Sequence, residues 1–222
     1  MINGKKVLGI IPARGNSKRV KNKNIRIING NPLIYWTFRS SQNSKYIDRL
    51  IVSTDNKKIK NISMSFGVEV PFLRPKELAE DNSSSVDTVL HAIKRIEGFD
   101  FIVLLQPTSP LRSVEDIDSC IIKCDCENHS PVVSITKTNK ETNLTYLLNK
   151  NKKIQKSNIY EKNRQLYNLN GAVYVADIKR FKNDKNFITK DTIGYVMPTE
   201  RSLDIDTEED LNFFKKTLKN ES

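Results

Sequence analysis

Cysteine is scarce in this chain of 222 residues: there are three, Cys120, Cys124 and Cys126, all in one short stretch. An odd, crowded set is not the even, spaced framework of a disulfide-stapled secreted domain, so a reducing cytoplasm is the expected location. Long apolar runs are also missing. The run Val7-Leu8-Gly9-Ile10-Ile11 follows Lys5 and Lys6 but stops at Pro12, too short for a membrane span and without a signal-cleavage pattern. Aromatic residues make up 8% of the chain, with one Trp. They are not interleaved with the cations, as a strand-binding nucleic-acid platform requires, and no helix reads as a groove reader. Acidic residues fall short of basic ones, 26 against 37, giving a net charge of +11. The Lys and Asn surplus is spread along the chain, as in Asn149-Lys150-Asn151-Lys152-Lys153, so solvated faces account for much of the charge. The charge alone does not choose among nucleic acid, anionic lipid and acidic small molecules as partners.

What is present alternates strand with helix, the pattern of an α/β fold with a largely parallel sheet. Residues 7–11, 50–53 and 101–105 are nearly continuous apolar runs, as strands buried on both faces should be, and each ends in polar residues. Helical stripes follow: Leu33, Trp36 and Phe38; Ile59, Ile62 and Phe66; then Val86, Val89, Leu90, Ile93 and Ile96, opened by a Ser84/Asp87 capping box. A further helix is expected at 115–123 and a strand at 132–136. Residues 137–166 are Lys- and Asn-rich with sparse apolar positions, an excursion from the core. A strand at 171–176 and a helix carrying Leu211, Phe214 and Leu218 complete the chain. No repeat or long linker divides it, so residues 1–222 read as one domain.

Two stretches carry chemistry. The loop after the first strand runs from Pro12 to Asn24 and holds Arg14, Gly15, Ser17, Lys18, Arg19, Lys21 and Lys23. Glycine-freed amides and the Ser17 hydroxyl can donate to phosphate oxygens, while Arg14, Lys18 or Lys23 neutralises charge that shifts during displacement at phosphorus. The loop matches neither the Walker A nor the GxGxxG pattern; the plainer reading is a solvated basic loop. The second stretch is Leu203-Asp204-Ile205-Asp206-Thr207, whose strand-like alternation puts two carboxylates on one face. Such a pair repels unless a cation lies between, and Mg2+ takes one or two carboxylates plus substrate phosphate oxygens. Turn residues are the alternative for both aspartates, and Thr207 with Asp210 reads as a cap for the last helix. Cys120, Cys124, Cys126 and His129 have no standard zinc spacing, and Cys120 reads as core. His91 has no acidic or nucleophilic partner nearby in sequence, and Tyr35 and Trp36 read as packing residues.

Six segments occur in order along nearly the whole chain: 12–18 (Pro-Ala-Arg-Gly-Asn-Ser-Lys), 52–55 (Val-Ser-Thr-Asp), 73–75 (Leu-Arg-Pro), 104–112 (Leu-Leu-Gln-Pro-Thr-Ser-Pro-Leu-Arg), 170–174 (Asn-Gly-Ala-Val-Tyr) and 204–207 (Asp-Ile-Asp-Thr). Together they resemble the acylneuraminate cytidylyltransferases, the CMP-sialic acid synthetases. The resemblance implies a doubly wound, mostly parallel α/β sheet of the nucleotide-diphospho-sugar transferase type, Rossmann-like. It also implies a homodimer whose arm, at about 137–168, helps complete the partner's site. The implied reaction joins CMP from CTP to the anomeric hydroxyl of a nonulosonic acid and releases pyrophosphate, with Mg2+ (or Mn2+) as cofactor.

By matching position, Arg14, Ser17, Lys23 and Asn24 would hold the triphosphate, and Arg74 and Ser85 would read the cytosine. Gln106 and Asn170 would contact the sugar, and Asp204 and Asp206 would bind the metal. Arg14 and Lys23 would stabilise the departing pyrophosphate, and Asp206 or a metal-bound water would take the hydroxyl proton. Two positions depart from the pattern: Lys21 stands where the family commonly has proline or glycine, and Asn168 where some sialic-acid enzymes carry arginine. The second favours a relative such as legionaminic acid over plain N-acetylneuraminic acid. Two rivals remain: an eight-carbon 3-deoxy-octulosonate cytidylyltransferase, which would share the basic loop, and a basic nucleic-acid-binding module.

Overall fold

The computed structural model describes residues 1–80, 83–139, 142, 144–156 and 164–220. In chain order its strands are β1 (Val7–Pro12), the short pair β2 (Ile27–Ile28) and β3 (Asn31–Pro32), β4 (Arg49–Ser53), β5 (Phe101–Leu105), β6 (Val132–Thr138), β7 (Thr145–Leu148), β8 (Ile154–Lys156), β9 (Leu166–Asp177) and β10 (Ile193–Val196). The helices are α1 (Leu33–Gln42), α2 (Lys57–Ser65), α3 (Ser85–Arg95), α4 (Val114–Cys126), α5 (Ile178–Asp184) and α6 (Glu208–Asn220).

The main sheet runs β10-β6-β9-β5-β1-β4. β1 pairs in parallel with both β4 and β5, and β6 pairs in parallel with β10. The long strand β9 runs antiparallel between β5 and β6, so the sheet is mixed at its middle. From β1 the chain crosses through α1 to β4 on one side, then through α2 and α3 to β5 on the other. The carboxyl end of β1 is therefore where strand order reverses, the position at which open α/β sheets form a ligand crevice.

The apolar runs seen in the sequence serve two faces. Val7 and Ile11 of β1 pack with Phe101, Val103 and Leu105 of β5 against Phe38 of α1, Ile59 of α2 and Ile117, Cys120, Ile121 and Cys124 of α4. Leu8, Ile10, Ile102 and Leu104 point the other way, onto Val89, Ala92 and Ile93 of α3 and Phe181 of α5. Strand alternation thus produces three layers, helices on both faces of one sheet. Cys120 and Cys124 are buried in the first layer, and burial pushes the Cys124 thiol up to about 12. Trp36 packs edge-on against Phe214 of α6, as a packing residue should.

A third, smaller core lies under the loops: Val20, Ile28, Leu33, Ile205, Leu211, Phe214 and Leu218. It ties the basic loop near the amino terminus to the aspartate segment near the carboxyl terminus, 185 residues apart between Val20 and Ile205. Part of the 137–166 stretch also proves to be sheet. β7 and β8 pair as an antiparallel ribbon, β7 joins β9, and Tyr146, Leu147 and Ile154 are buried. Lys140, Glu141, Asn143 and residues 157–163, within the expected dimerisation arm, lie outside the described residues.

Candidate active site

The basic loop begins by extending the sheet, Ala13 N donating to Ser53 O, and then turns where Gly15 N donates to Asp55 Oδ1 at 2.8 Å. A Cβ on Gly15 would stand 2.8 Å from the Cβ of Asn56, whose side chain caps α2 through the amides of Lys58 and Ile59. Only glycine lets the loop lie this close to the helix start. The chain then passes through Asn22 in a left-handed conformation (φ 56°) into a single 3-10 turn, Lys23–Ile25. Asn24 is buried there; its Nδ2 donates to Arg14 O at 3.0 Å, and its Oδ1 has no partner among the described residues. A buried acceptor of this kind is one that a ligand donor can satisfy.

Arg74 approaches from the far wall. Its amide donates to Thr54 O, and its Nη1 donates to Thr88 Oγ1 of α3 at 2.6 Å. Burial pushes its pKa down, Asp55 opposes that shift, and Arg14 adds to it. Ser84 caps α3 by accepting from Asp87 N, which leaves Ser85 exposed at the helix start. The Asp87 carboxylate meets the Ser84 hydroxyl at 2.7 Å, a shorter reach back than the capping box read from sequence.

Asp204, Ile205 and Asp206 alternate outward, inward, outward as the sequence suggests, but they are an extended loop and not a strand. Among the described residues no strand pairs with them. Instead Ile205 N donates to Thr108 O, and Asp206 N and Thr207 N donate to Asp210 Oδ2, while Asp210 N returns to Thr207 Oγ1. The Thr207/Asp210 capping box read from sequence therefore fixes the second aspartate. Asp204 is held above the usual carboxylate range by desolvation and by its neighbour Asp206, against a hydrogen bond from Thr108. Asp206 accepts from Lys23 Nζ at 3.0 Å and from Arg19 Nη1 at 2.8 Å, and Lys23 Nζ also donates to Ile205 O at 2.7 Å.

These pieces surround one cleft of about 310 Å3 at the carboxyl end of β1, large enough for part of a nucleotide. Arg14, Ser17, Lys23, Asn24, Arg74, Ser85, Gln106, Asp204 and Asp206 all line it. The cationic loop and the twin aspartates thus face one another. A contiguous hollow of about 300 Å3 is walled by Arg14, Ser17, Lys18, Arg19, Lys23 and Asp206.

Asn170 is the residue that the fold does not bring to the cleft. It is buried behind the aspartate segment: its Oδ1 accepts from Ser134 Oγ (2.6 Å) and Ala172 N, and its Nδ2 donates to Ser202 Oγ (3.0 Å). Its amide is engaged by Ser134, Ala172 and Ser202, away from the residues that line the cleft. Residues that sequence reading passed over include Thr108, which meets both Asp204 and Ile205, and Asp55, which fixes Gly15. Both stand in segments that carry the resemblance, 104–112 and 52–55, just beyond the carboxyl ends of β5 and β4.

No group of three or more metal-binding side chains occurs among the described residues. A cation at Asp204 and Asp206 would need oxygens from a substrate, which is how Mg2+ is usually held beside phosphates. Two carboxylates crowded together, one with its carboxyl pushed up chiefly by desolvation, fit such an ion.

Residues 8–216 match the family model described as Cytidylyltransferase. The chain is 33% identical over 207 residues to the N-acylneuraminate cytidylyltransferase of Escherichia coli O18:K1:H7, covering 90% of this chain and 49% of that one. It therefore spans about half the length of that relative. With the CMP-N,N'-diacetyllegionaminic acid synthase of Legionella pneumophila it shares 32% identity over 224 residues, 96% of each chain. The pseudaminic acid cytidylyltransferase of Campylobacter jejuni is 29% identical over 95% of each chain. Among solved structures, CMP:2-keto-3-deoxy-manno-octonic acid synthetase complexed with CTP superposes with a TM-score of 0.80 at 15% identity, covering 98% of this chain and 100% of that one.

Proposed function

The chain belongs to the cytidylyltransferase family, and from that premise we propose that it transfers CMP from CTP to the anomeric hydroxyl of a nonulosonic acid, releasing pyrophosphate. The observation that carries this reading is the meeting of a cationic, glycine-turned loop with two aspartates across one cleft at the strand-order reversal. Relatives named for sialic, legionaminic and pseudaminic acids support the sugar class.

Arg14, Ser17 and Asn24 hold the triphosphate, and Lys23 steadies its charge; Arg74 and Ser85 on the opposite wall read the cytosine. Gln106, beyond β5, faces the sugar. Asp204 and Asp206 would hold Mg2+, which when bound would supply charge neutralisation at the reacting phosphate. The attacking hydroxyl surrenders its proton on the carboxylate side of the cleft, and the pyrophosphate leaves along the Arg14 and Lys23 side. Positioning and fixed charge do the work, without a covalent enzyme intermediate.

The chain works in the cytoplasm as a homodimer, with the 137–168 region as the arm. Its three cysteines are free, among the described residues no helix is long and apolar enough to cross a membrane, and Leu144 on this region is 49% exposed. Asn168 supports a sugar other than plain N-acetylneuraminic acid. Its Oδ1 accepts from Thr145 Oγ1 at 2.5 Å, so the amide is turned onto β7. Incubation with CTP, Mg2+ and a panel of sialic, legionaminic and pseudaminic acids should release pyrophosphate with at least one acid, and most readily with legionaminic acid. Silence across the panel would refute the reading.

A further inference from the structure

Asp206 is doubly held. Lys23 Nζ lies 3.0 Å from its Oδ1 and Arg19 Nη1 lies 2.8 Å from its Oδ2. Both cations come from the phosphate loop, yet they differ in freedom. The Lys23 side chain is 12% exposed and also anchored to Ile205 O, whereas that of Arg19 is 68% exposed. A divalent cation brought to this carboxylate would meet two like charges at near contact. Arg19 also walls the hollow of about 300 Å3 that opens from the cleft at Arg14, Ser17, Lys23 and Asp206.

We propose that Arg19 is a nucleotide-released clamp, which keeps Asp206 paired until a triphosphate in the adjoining hollow draws the guanidinium away and frees the carboxylate for the metal. The inference rests on the reading of the cleft as a CTP site. A guanidinium gains shorter, charge-assisted and bidentate bonds on phosphate, so a triphosphate beside it is the better partner. The pair it gives up is exposed and therefore weak, so release does not obstruct turnover. Lys23, anchored by the Ile205 carbonyl, is the fixed member of the pair and Arg19 the movable one. Metal loading then favours the nucleotide-bound cleft, and the two carboxylates hold divalent ions a few-fold more weakly while it is empty.

The test is a Mn2+ titration of the nucleotide-free protein followed by electron paramagnetic resonance. Arg19→Gln should bind Mn2+ roughly two- to fivefold more tightly than the wild type, the span set by the weakness of exposed ion pairs. Adding Asp206→Asn to that variant should abolish the gain. Lys18→Gln removes the same charge from the same loop and should gain less than Arg19→Gln. No gain in Arg19→Gln, or an equal gain in Lys18→Gln, would overturn the clamp. Pyrophosphate release by the wild type is scored separately: turnover with no Mn2+ gain in Arg19→Gln removes the clamp alone, whereas absence of turnover removes the functional reading beneath it.

Discussion

Asp116 shows how much of this site depends on a residue outside it. Its side chain has no exposed surface, and it accepts from Arg201 Nε at 2.9 Å and Nη2 at 2.8 Å as well as from the amide and hydroxyl of Ser113. Burial alone would raise its pKa, but the bonds from Arg201 and Ser113 outweigh that and hold it below the ordinary 3.8. The folded protein therefore binds this proton less readily than the unfolded chain. The resulting stability is fully present above 3.8 and is lost as pH falls through the lower folded value. Asp116→Asn should cost about 2–3 kcal/mol at neutral pH, below the range for a fully buried pair because Arg201 is partly exposed. Urea unfolding at pH 7 and pH 3 should show the gap from wild type narrowing in acid, and an equal gap at both would contradict the assignment. At this scale the sequence was most legible where chemistry clusters along the chain. Arg14, Ser17, Lys23, Asp204 and Asp206 stand in two short words that meet in space. The Asp116–Arg201 pair was not legible, because its partners lie 85 positions apart and the Ser113 capping box that holds Asp116 signals a helix start and no ion pair.

Among the elements, the third core decides whether the two halves of the site face one another. Ile205 is fully buried with Val20, Leu33, Leu211 and Phe214, between the two aspartates and beneath the basic loop. Ile205→Ala should destabilise the fold by about 2–4 kcal/mol through the cavity it leaves. It should also lower turnover beyond what the loss of folded protein explains, because both neighbouring carboxylates lose their backing. Thermal unfolding and activity per folded molecule, measured at a temperature where both proteins are folded, separate the two effects; unchanged specific activity would show that the packing does not position the aspartates. Strands buried on both faces and amphipathic helices announced themselves through periodicity, as β1, β5 and α3 do. The β7–β8 ribbon did not. Its strands have four and three residues, and its buried Tyr146, Leu147 and Ile154 are diluted by Lys and Asn, so no period stands out. The aspartate segment misled in the opposite way, since its alternation comes from one inward isoleucine and a helix cap rather than from a ladder.

For the molecule as a whole, the chain's net charge of +11 is spread widely, but Arg14 and Lys23 on one wall and Arg74 on the other bring part of it to one cleft. That arrangement fixes which bond should break. If the loop holds the outer phosphates and the aspartate side faces the attacking hydroxyl, displacement occurs at the α-phosphorus. The most direct test is to follow label from CTP carrying 32P at the α position or, in a parallel reaction, at the γ position, with Mg2+ and the preferred nonulosonic acid. The α label should appear in the CMP-sugar and the γ label in pyrophosphate. Label from the γ position in the sugar, or released as single phosphate while the α label stays in the nucleotide pool, would contradict the account.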